Sequence, residues 1–251
     1  MDKENYIYGI RAIIEAIDAG RQIDKVFMKR DSSSDLAQEL LTLIKEHRIP
    51  LQRVPVEKLN RITRKNHQGF VALVSAITYH NLEDVVPQLY EEGRLPFILV
   101  LDGITDVRNF GAMARTAECA GVDAIVIPES GSVSVGADAV KTSAGALLRV
   151  PVCRVRNLAH AVTYLQENGY NLVAVSEKAS INYTEADYTV PTALIMGAED
   201  VGITPFIYKA CDTRVAIPMF GDIGSLNVSV AAGVLMYEVV RQRLLANLEV
   251  I

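Results

Sequence analysis

The chain is 251 residues long, enough for one or two domains and for a sizeable core without staples. Half of its residues are apolar, 22% are charged and 6% aromatic, with no Trp. That composition excludes a disordered, collagenous or coiled-coil chain and predicts an aliphatic core. The net charge of −5 taken by itself argues against a nucleic-acid partner.

Ile10, Ile13, Ile14 and Ile17 recur at helical spacing. Residues 24–29 carry Val26, Phe27 and Met28 and predict a strand, and the Asp/Ser run 31–35 offers N-caps for a helix through Leu36, Leu40, Leu43 and Ile44. A short strand at 51–54, a short helix at 56–62 and a β-branched strand at 70–77 complete a small α/β layered domain. Residues 78–95 read as a connector with a short helix. Beyond it the strands become almost wholly apolar, at 97–101, 124–127, 172–175, 193–196 and 215–217. They alternate with helical segments near 110–120, 157–168, 204–210 and 227–247, the pattern of a parallel sheet covered on both faces.

No apolar stretch reaches the roughly 18 residues of a spanning helix, and residues 1–5 carry no apolar signal-peptide run. The chain therefore reads as soluble and cytoplasmic, with no membrane partner. Cys119, Cys153 and Cys211 are far apart and form no C-x-x-C, so neither a zinc site nor a disulfide framework is expected; all three read as core thiols. No aspartate cluster suggests another metal.

The charge is uneven. Residues 1–80 are net +3 and residues 81–251 net −8. Arg53, Lys58, Arg61, Arg64 and Lys65 face only Glu57, in a run that also holds Asn60, Asn66, His67 and Gln68. Such a run is either a solvated face or a phosphate-contacting patch on a small recognition domain.

In a parallel sheet the chemistry belongs where strands end and helices begin, and three such junctions stand out. In the first, residues 101–116, Asn109 lies near the start of a helix that carries Arg115; Asn109 reads as a cap or a ligand, and Arg115 as a partner of Glu118 or a functional cation. In the second, a strand runs into Gly197, where backbone can approach a ligand closely, with Glu199 just beyond. Gly197 and Gly202 have phosphate-loop spacing, but Ile203 stands where the lysine is needed. In the third, a Gly-rich loop after Ile217 and Met219 leads through Ser225, Leu226 and Asn227 into the last helix, with Ser225 as the expected cap. The 16 glycines contain no G-x-G, so the dinucleotide fingerprint is missing. No G-x-S-x-G elbow occurs, and none of the four histidines falls in a junction.

Taken together the junctions resemble the three motifs of the SpoU/TrmH family of SPOUT RNA 2′-O-methyltransferases. Asn109 to Thr116 resembles N-x-G-A-x-x-R-T, Gly197 to Gly202 resembles G-x-E-x-x-G, and Ile217 to Met219 with Ser225 to Ser229 resembles I-P-M followed by S-L-N-x-S. Lys141 to Ala146 resembles the family's K-x-S-x-G-A stretch, and His67-Gln68-Gly69 resembles a stretch of the ribosomal RNA branch. Val107 departs from the Pro that many members carry there.

The resemblance implies an α/β fold: a parallel-sheet SPOUT trefoil knot with a small N-terminal L30e-like domain. It divides the chain into residues 1–78 (substrate-binding), 79–95 (linker) and 96–251 (methyltransferase). It implies S-adenosylmethionine as cofactor, RNA as partner, with a guanosine 2′-hydroxyl of 23S ribosomal RNA as target, and a homodimer whose active site draws on both subunits. Arg115 would act on the 2′-hydroxyl, with Asn109, Glu199, Ser225 and Asn227 positioning the reactants. Gly197, Ile217, Met219 and Leu226 would form the cofactor pocket, and Arg53, Lys58, Arg61, Arg64 and Lys65 would meet RNA. A transfer RNA substrate, or a silent RNA-binding protein of the same fold, remain the alternatives.

Overall fold

The computed structural model describes residues 6–30 and 34–248. The chain divides into two compact units, Met1–Thr78 with Ser134–Asp138, and Tyr79–Val133 with Ala139–Ile251.

The first unit runs β1 (Tyr6–Tyr8), α1 (Ile10–Asp18), β2 (Ile23–Lys29), α2 (Asp35–Glu46), β3 (Leu51–Val54), α3 (Val56–Ile62) and β4 (Phe70–Val74). Its sheet has the order β1-β4-β2-β3, with only the β2/β3 pair parallel. The period-two alternation of β2 decides which helix covers which face. Val26 and Met28 pack with Ile13 and Ile17 of α1 and Leu40 of α2, while Phe27 packs with Val54, Leu59 of α3 and Val71. Ser34 caps α2, its hydroxyl accepting from the Ala37 N–H at 3.2 Å. The other cap candidates, residues 31–33, lie outside the described residues.

The strand expected over 70–77 stops at Val74. Its last pairing is with Ile23, where β2 begins, and the Ser75 N–H turns to the Gln22 carbonyl instead.

The second unit runs β5 (Tyr79–His80), α4 (Leu82–Glu91), β6 (Phe97–Asp102), α5 (Val107–Cys119), β7 (Ala124–Pro128), α6 (Ala137–Thr142, whose first residues fall in the first unit), β8 (Val152–Val155), α7 (Leu158–Glu167), β9 (Asn171–Val175), β10 (Ile181–Asn182), β11 (Thr192–Gly197), α8 (Pro205–Ala210), β12 (Thr213–Ala216) and α9 (Val228–Leu248). Eight strands form one sheet in the order β10-β12-β9-β11-β6-β7-β8-β5, and every pairing in it is parallel. The central strands are buried on both faces, which is why their sequences are apolar throughout.

The segment expected to be a connector is built into this unit. Tyr79 and His80 pair with Val152 and Cys153, and Leu82, Val86 and Leu89 of α4 are buried. Arg243 of α9 ties strand starts together, its guanidinium donating to the carbonyls of Tyr188, Leu95, Pro96 and Val190 at 2.8–3.1 Å. Cys153 and Cys211 are buried, and burial pushes both thiols up to about 12, which keeps them protonated. Cys119 departs from expectation: it is exposed at the end of α5.

Candidate active site

The carboxyl ends of β9 and β11 and the loop after β12 border a cleft of about 620 Å³. Gly197, Ile217, Met219 and Leu226 all line it, as do Glu199, Ser225 and Asn227. The size suits a drug-sized ligand. Gly197 is required by close approach: a Cβ there would overlap the backbone of Gly202 and Ile203, which folds back so that the Gly202 N–H donates to the Ala198 carbonyl at 2.8 Å. The loop is anchored from behind, where the Asp102 carboxylate accepts the Thr204 N–H at 2.6 Å.

Three polar side chains from the three junctions close into a triangle. Glu199 Oε1 accepts from Asn227 Nδ2 at 2.7 Å, from the Val228 N–H at 3.1 Å and from Asn109 Nδ2 at 3.3 Å. Asn227 Nδ2 also donates to Asn109 Oδ1 at 3.0 Å. Asn227 cannot turn over, because its Oδ1 accepts from the Ser229 N–H at 3.0 Å and hydroxyl at 2.6 Å. Asn227 therefore caps α9 in place of the expected Ser225. Glu199 accepts a second orphan N–H of that helix, where an anion is also favoured by the helix dipole. Glu199 Oε2 has no hydrogen-bond partner among the described residues, which leaves it available to a ligand hydroxyl or ammonium group.

Asn109 is not the cap of α5. Asp106 is, accepting from the N–H groups of Arg108 and Asn109 at 2.9 and 2.8 Å. That frees the Asn109 amide for the triangle. Asp is among the preferred N-cap residues, so local cap preference alone could have pointed to Asp106. Gly111 serves packing: a Cβ there would lie 2.6 Å from Thr142 Cβ, so the Lys141 to Ala146 stretch presses on α5.

The structure does not bring Arg115 to the triangle. Arg115 is exposed, makes no hydrogen bond or ion pair among the described residues, and does not line the cleft. Six helical residues place it about 120° round α5 from Asn109. Nor does it pair with Glu118, which instead meets Arg149 at 3.3 Å. Residues outside the sequence motifs also line the cleft, among them Ser176 and Lys178 just past β9, and Tyr208 on α8. The first two follow a predicted strand end and were findable by that rule.

In the first unit Arg53, Lys58, Arg61, Arg64 and Lys65 are all exposed. Lys58 Nζ sits 5.1 Å from the Phe27 ring centroid and Lys65 Nζ 5.1 Å from that of Tyr8. His67 Nδ1 accepts the Gly69 N–H at 3.0 Å, so its Nε2 donates to Asn60 Oδ1, also at 3.0 Å. Gln68 Oε1 accepts the Ile10 N–H at 3.0 Å and so caps α1, whose own N-cap, Gly9, has no side chain to do so. Among the described residues no group of three or more His, Cys, Asp or Glu could hold a metal, and no helix is long and apolar enough to cross a membrane.

A chain with this sheet, this cleft and three converging polar junctions is an RNA methyltransferase of the SpoU class. Residues 96–237 match the SpoU rRNA Methylase family and residues 6–80 match RNA 2′-O ribose methyltransferase substrate binding. The chain belongs to the SpoU family. YacO of Bacillus subtilis, named for the TrmH family of tRNA/rRNA methyltransferases, is 36% identical over 96% of this chain and 97% of its own length. A relative from Staphylococcus saprophyticus with the same family name matches to the same extent. The SpoU methyltransferase AviRb from Streptomyces viridochromogenes, solved in complex with AdoMet, superposes with a TM-score of 0.60 at 25% identity over 95% of this chain and 90% of its own. The A. aeolicus TrmH/SpoU tRNA modifying enzyme gives a TM-score of 0.55 at 29% identity over 66% of this chain and 86% of its own.

Proposed function

We propose that this chain transfers the methyl group of S-adenosylmethionine to a ribose 2′-hydroxyl, and that its substrate is ribosomal RNA, with a guanosine of 23S ribosomal RNA as target. The observation that carries the reading is the Asn109–Glu199–Asn227 triangle at the cleft. A silent RNA-binding protein has no need of a fixed polar triangle beside a cofactor-sized cleft.

The cleft's donor set fits the cofactor. Gly197, Ile217, Met219 and Leu226 offer backbone groups and apolar walls for a purine, and Glu199 offers a free carboxylate oxygen. When bound, S-adenosylmethionine supplies an electrophilic methyl on a sulfonium. The protein's part is alignment, exclusion of water and help with the hydroxyl proton. Glu199 and Asn227, locked against each other, hold the ribose and cofactor polar groups in one geometry. A guanidinium is a poor general base, so Arg115 orients the hydroxyl and its neighbouring phosphate and stabilises the developing alkoxide.

Arg115 cannot do this from its position in one chain; a second copy brings its own Arg115 to the cleft. The homodimer this requires uses α9, whose amino-terminal half, Val228 to Tyr237, is apolar apart from Ser229. One side is buried through Ala232, Leu235, Met236 and Val239, and Val230 and Tyr237 are each 51% exposed. A helical stretch apolar all round is normally covered on every side.

Ribosomal RNA is favoured over transfer RNA by coverage. The A. aeolicus enzyme named for tRNA matches 66% of this chain and a second structure named for tRNA matches 58%, so neither accounts for the whole of it. On this reading the first unit, with its basic run, is the RNA-recognition part. Mapping 2′-O-methyl groups in ribosomal and transfer RNA from a deletion strain, with in vitro transfer of labelled methyl to both, tests it. Loss of one ribosomal site, restored by the purified protein, is expected; loss of a transfer RNA site would move the substrate.

A further inference from the structure

One wall of the cleft comes from α8, which none of the three motifs includes; Pro205, Tyr208 and Lys209 line it there. This helix has six residues, too few to hold its shape alone. Ile207 anchors it from the core side at 3% exposure. Arg214, on β12, anchors its end, with Nε donating to the Tyr208 carbonyl at 3.0 Å and Nη2 to the Lys209 carbonyl at 2.8 Å. The same guanidinium lies over the Tyr208 ring, 5.2 Å from its centroid. Arg214 does not line the cleft and Tyr208 does. One arginine thus fixes both the backbone and the ring of a residue whose remaining surface faces the ligand space.

A ring already carrying a cation on one face is a poor site for a second cation and a good one for an electron-rich flat group. S-adenosylmethionine offers both a sulfonium and a purine. Its methyl must lie near Glu199 and Asn227, where the polar groups are. Tyr208 and Ile203 pack against the same apolar core, and they line the cleft together with Val175 and Ile217, apolar residues that suit the purine.

We propose that Tyr208, held by Arg214, is the aromatic wall against which the cofactor's adenine packs, and that it sets selectivity for a purine. The inference rests on the cofactor reading above. Tyr208 touches the cofactor; Arg214 is a positioning residue.

Calorimetry on the full chain tests this with two probes, S-adenosylmethionine and 5′-methylthioadenosine, which share the purine and differ in the charged end. Tyr208→Leu should weaken both by about tenfold, the worth of an aromatic stack. Tyr208→Phe should bind both like wild type. Arg214→Lys should weaken both in the Tyr208 background and neither in the Tyr208→Leu background. The chain has no Trp, so Tyr208→Trp introduces a lone indole whose emission should change on adding either probe. Unchanged affinity in Tyr208→Leu, a loss confined to S-adenosylmethionine, or unaltered indole emission with binding intact each overturns the proposal. If wild type binds neither probe, the cofactor reading falls and this inference with it.

Discussion

Asn227 does two jobs with one side chain, and the two separate by substitution. Its Oδ1 caps α9 and its amide hydrogens join Glu199 and Asn109. Asn227→Ser keeps a good cap but removes both donors. Thermal melting should show a loss below about 1 kcal/mol, while transfer of labelled methyl falls on the order of a hundredfold. A variant that melts like wild type and turns over normally would remove the triangle from the chemistry. Arg115→Ala should behave differently again. It should abolish transfer yet leave S-adenosylmethionine affinity within about threefold, because on the dimer reading it meets the hydroxyl and phosphate of the RNA and not the cofactor. At this scale the sequence points to residues that the fold brings together at one cleft, Glu199 and Asn227 among them, but not always to their bonds. Ser225 reads as a cap and Asn109 as a cap or a ligand, while the actual caps, Asp106 and Asn227, follow from where each helix starts. Tyr208 leaves no signal in the sequence, since its partner Arg214 reaches it only through the fold.

At the scale of elements, long apolar strands are legible, while among the short ones β3 and β12 are and β5, β8 and β10 are not. β6, β7, β9 and β11 are predictable because burial on both faces writes itself into every residue. β5 and β10 have two residues each, too few to establish a period. The 79–95 segment reads as a connector because its composition is polar, yet its apolar residues at helical spacing, Leu82, Val86 and Leu89, are buried. The packing of α5 on the Lys141 to Ala146 stretch shows an element placed by one missing atom group. Gly111→Ala adds a methyl 2.6 Å from Thr142 Cβ. The gain in helix propensity is about 1 kcal/mol, against overpacking of about 1–3 kcal/mol. Urea unfolding should therefore show a net loss of about 1 kcal/mol. A gain would mean that the 141–146 stretch yields easily.

Strand order and subunit number belong to the whole molecule, and neither can be read from hydropathy. The placement of β11 between β9 and β6 is what gathers motifs separated by some ninety residues of chain. If α9 is the dimer surface, Tyr237→Lys places a charge on its exposed apolar side. Light scattering should then report a monomer at micromolar concentration, with methyl transfer lost because Arg115 no longer reaches a neighbouring cleft. A dimer of normal activity would put the interface elsewhere.

Charge is legible from the sequence, and it yields a prediction about how the molecule divides its work. The first 80 residues are net +3 and the rest net −8, so the catalytic part should attract a phosphate backbone weakly by itself. Arg53, Arg61, Arg64 and Lys65 are exposed, and the Lys65 ammonium rests on the Tyr8 ring rather than on a carboxylate, so its charge is not neutralised. Each phosphate that a basic side chain neutralises adds roughly 0.7 to 0.9 to the salt slope of binding. Replacing these four residues with Ala should flatten the slope by up to about 3 units where all four touch phosphate. Cofactor affinity should not move, since none of the four lines the cleft. Filter binding of a ribosomal RNA fragment across a salt series, with cofactor calorimetry on the same variant, reads both quantities. An unaltered slope with unaltered affinity would leave the run as a solvated face and move RNA recognition to another part of the surface.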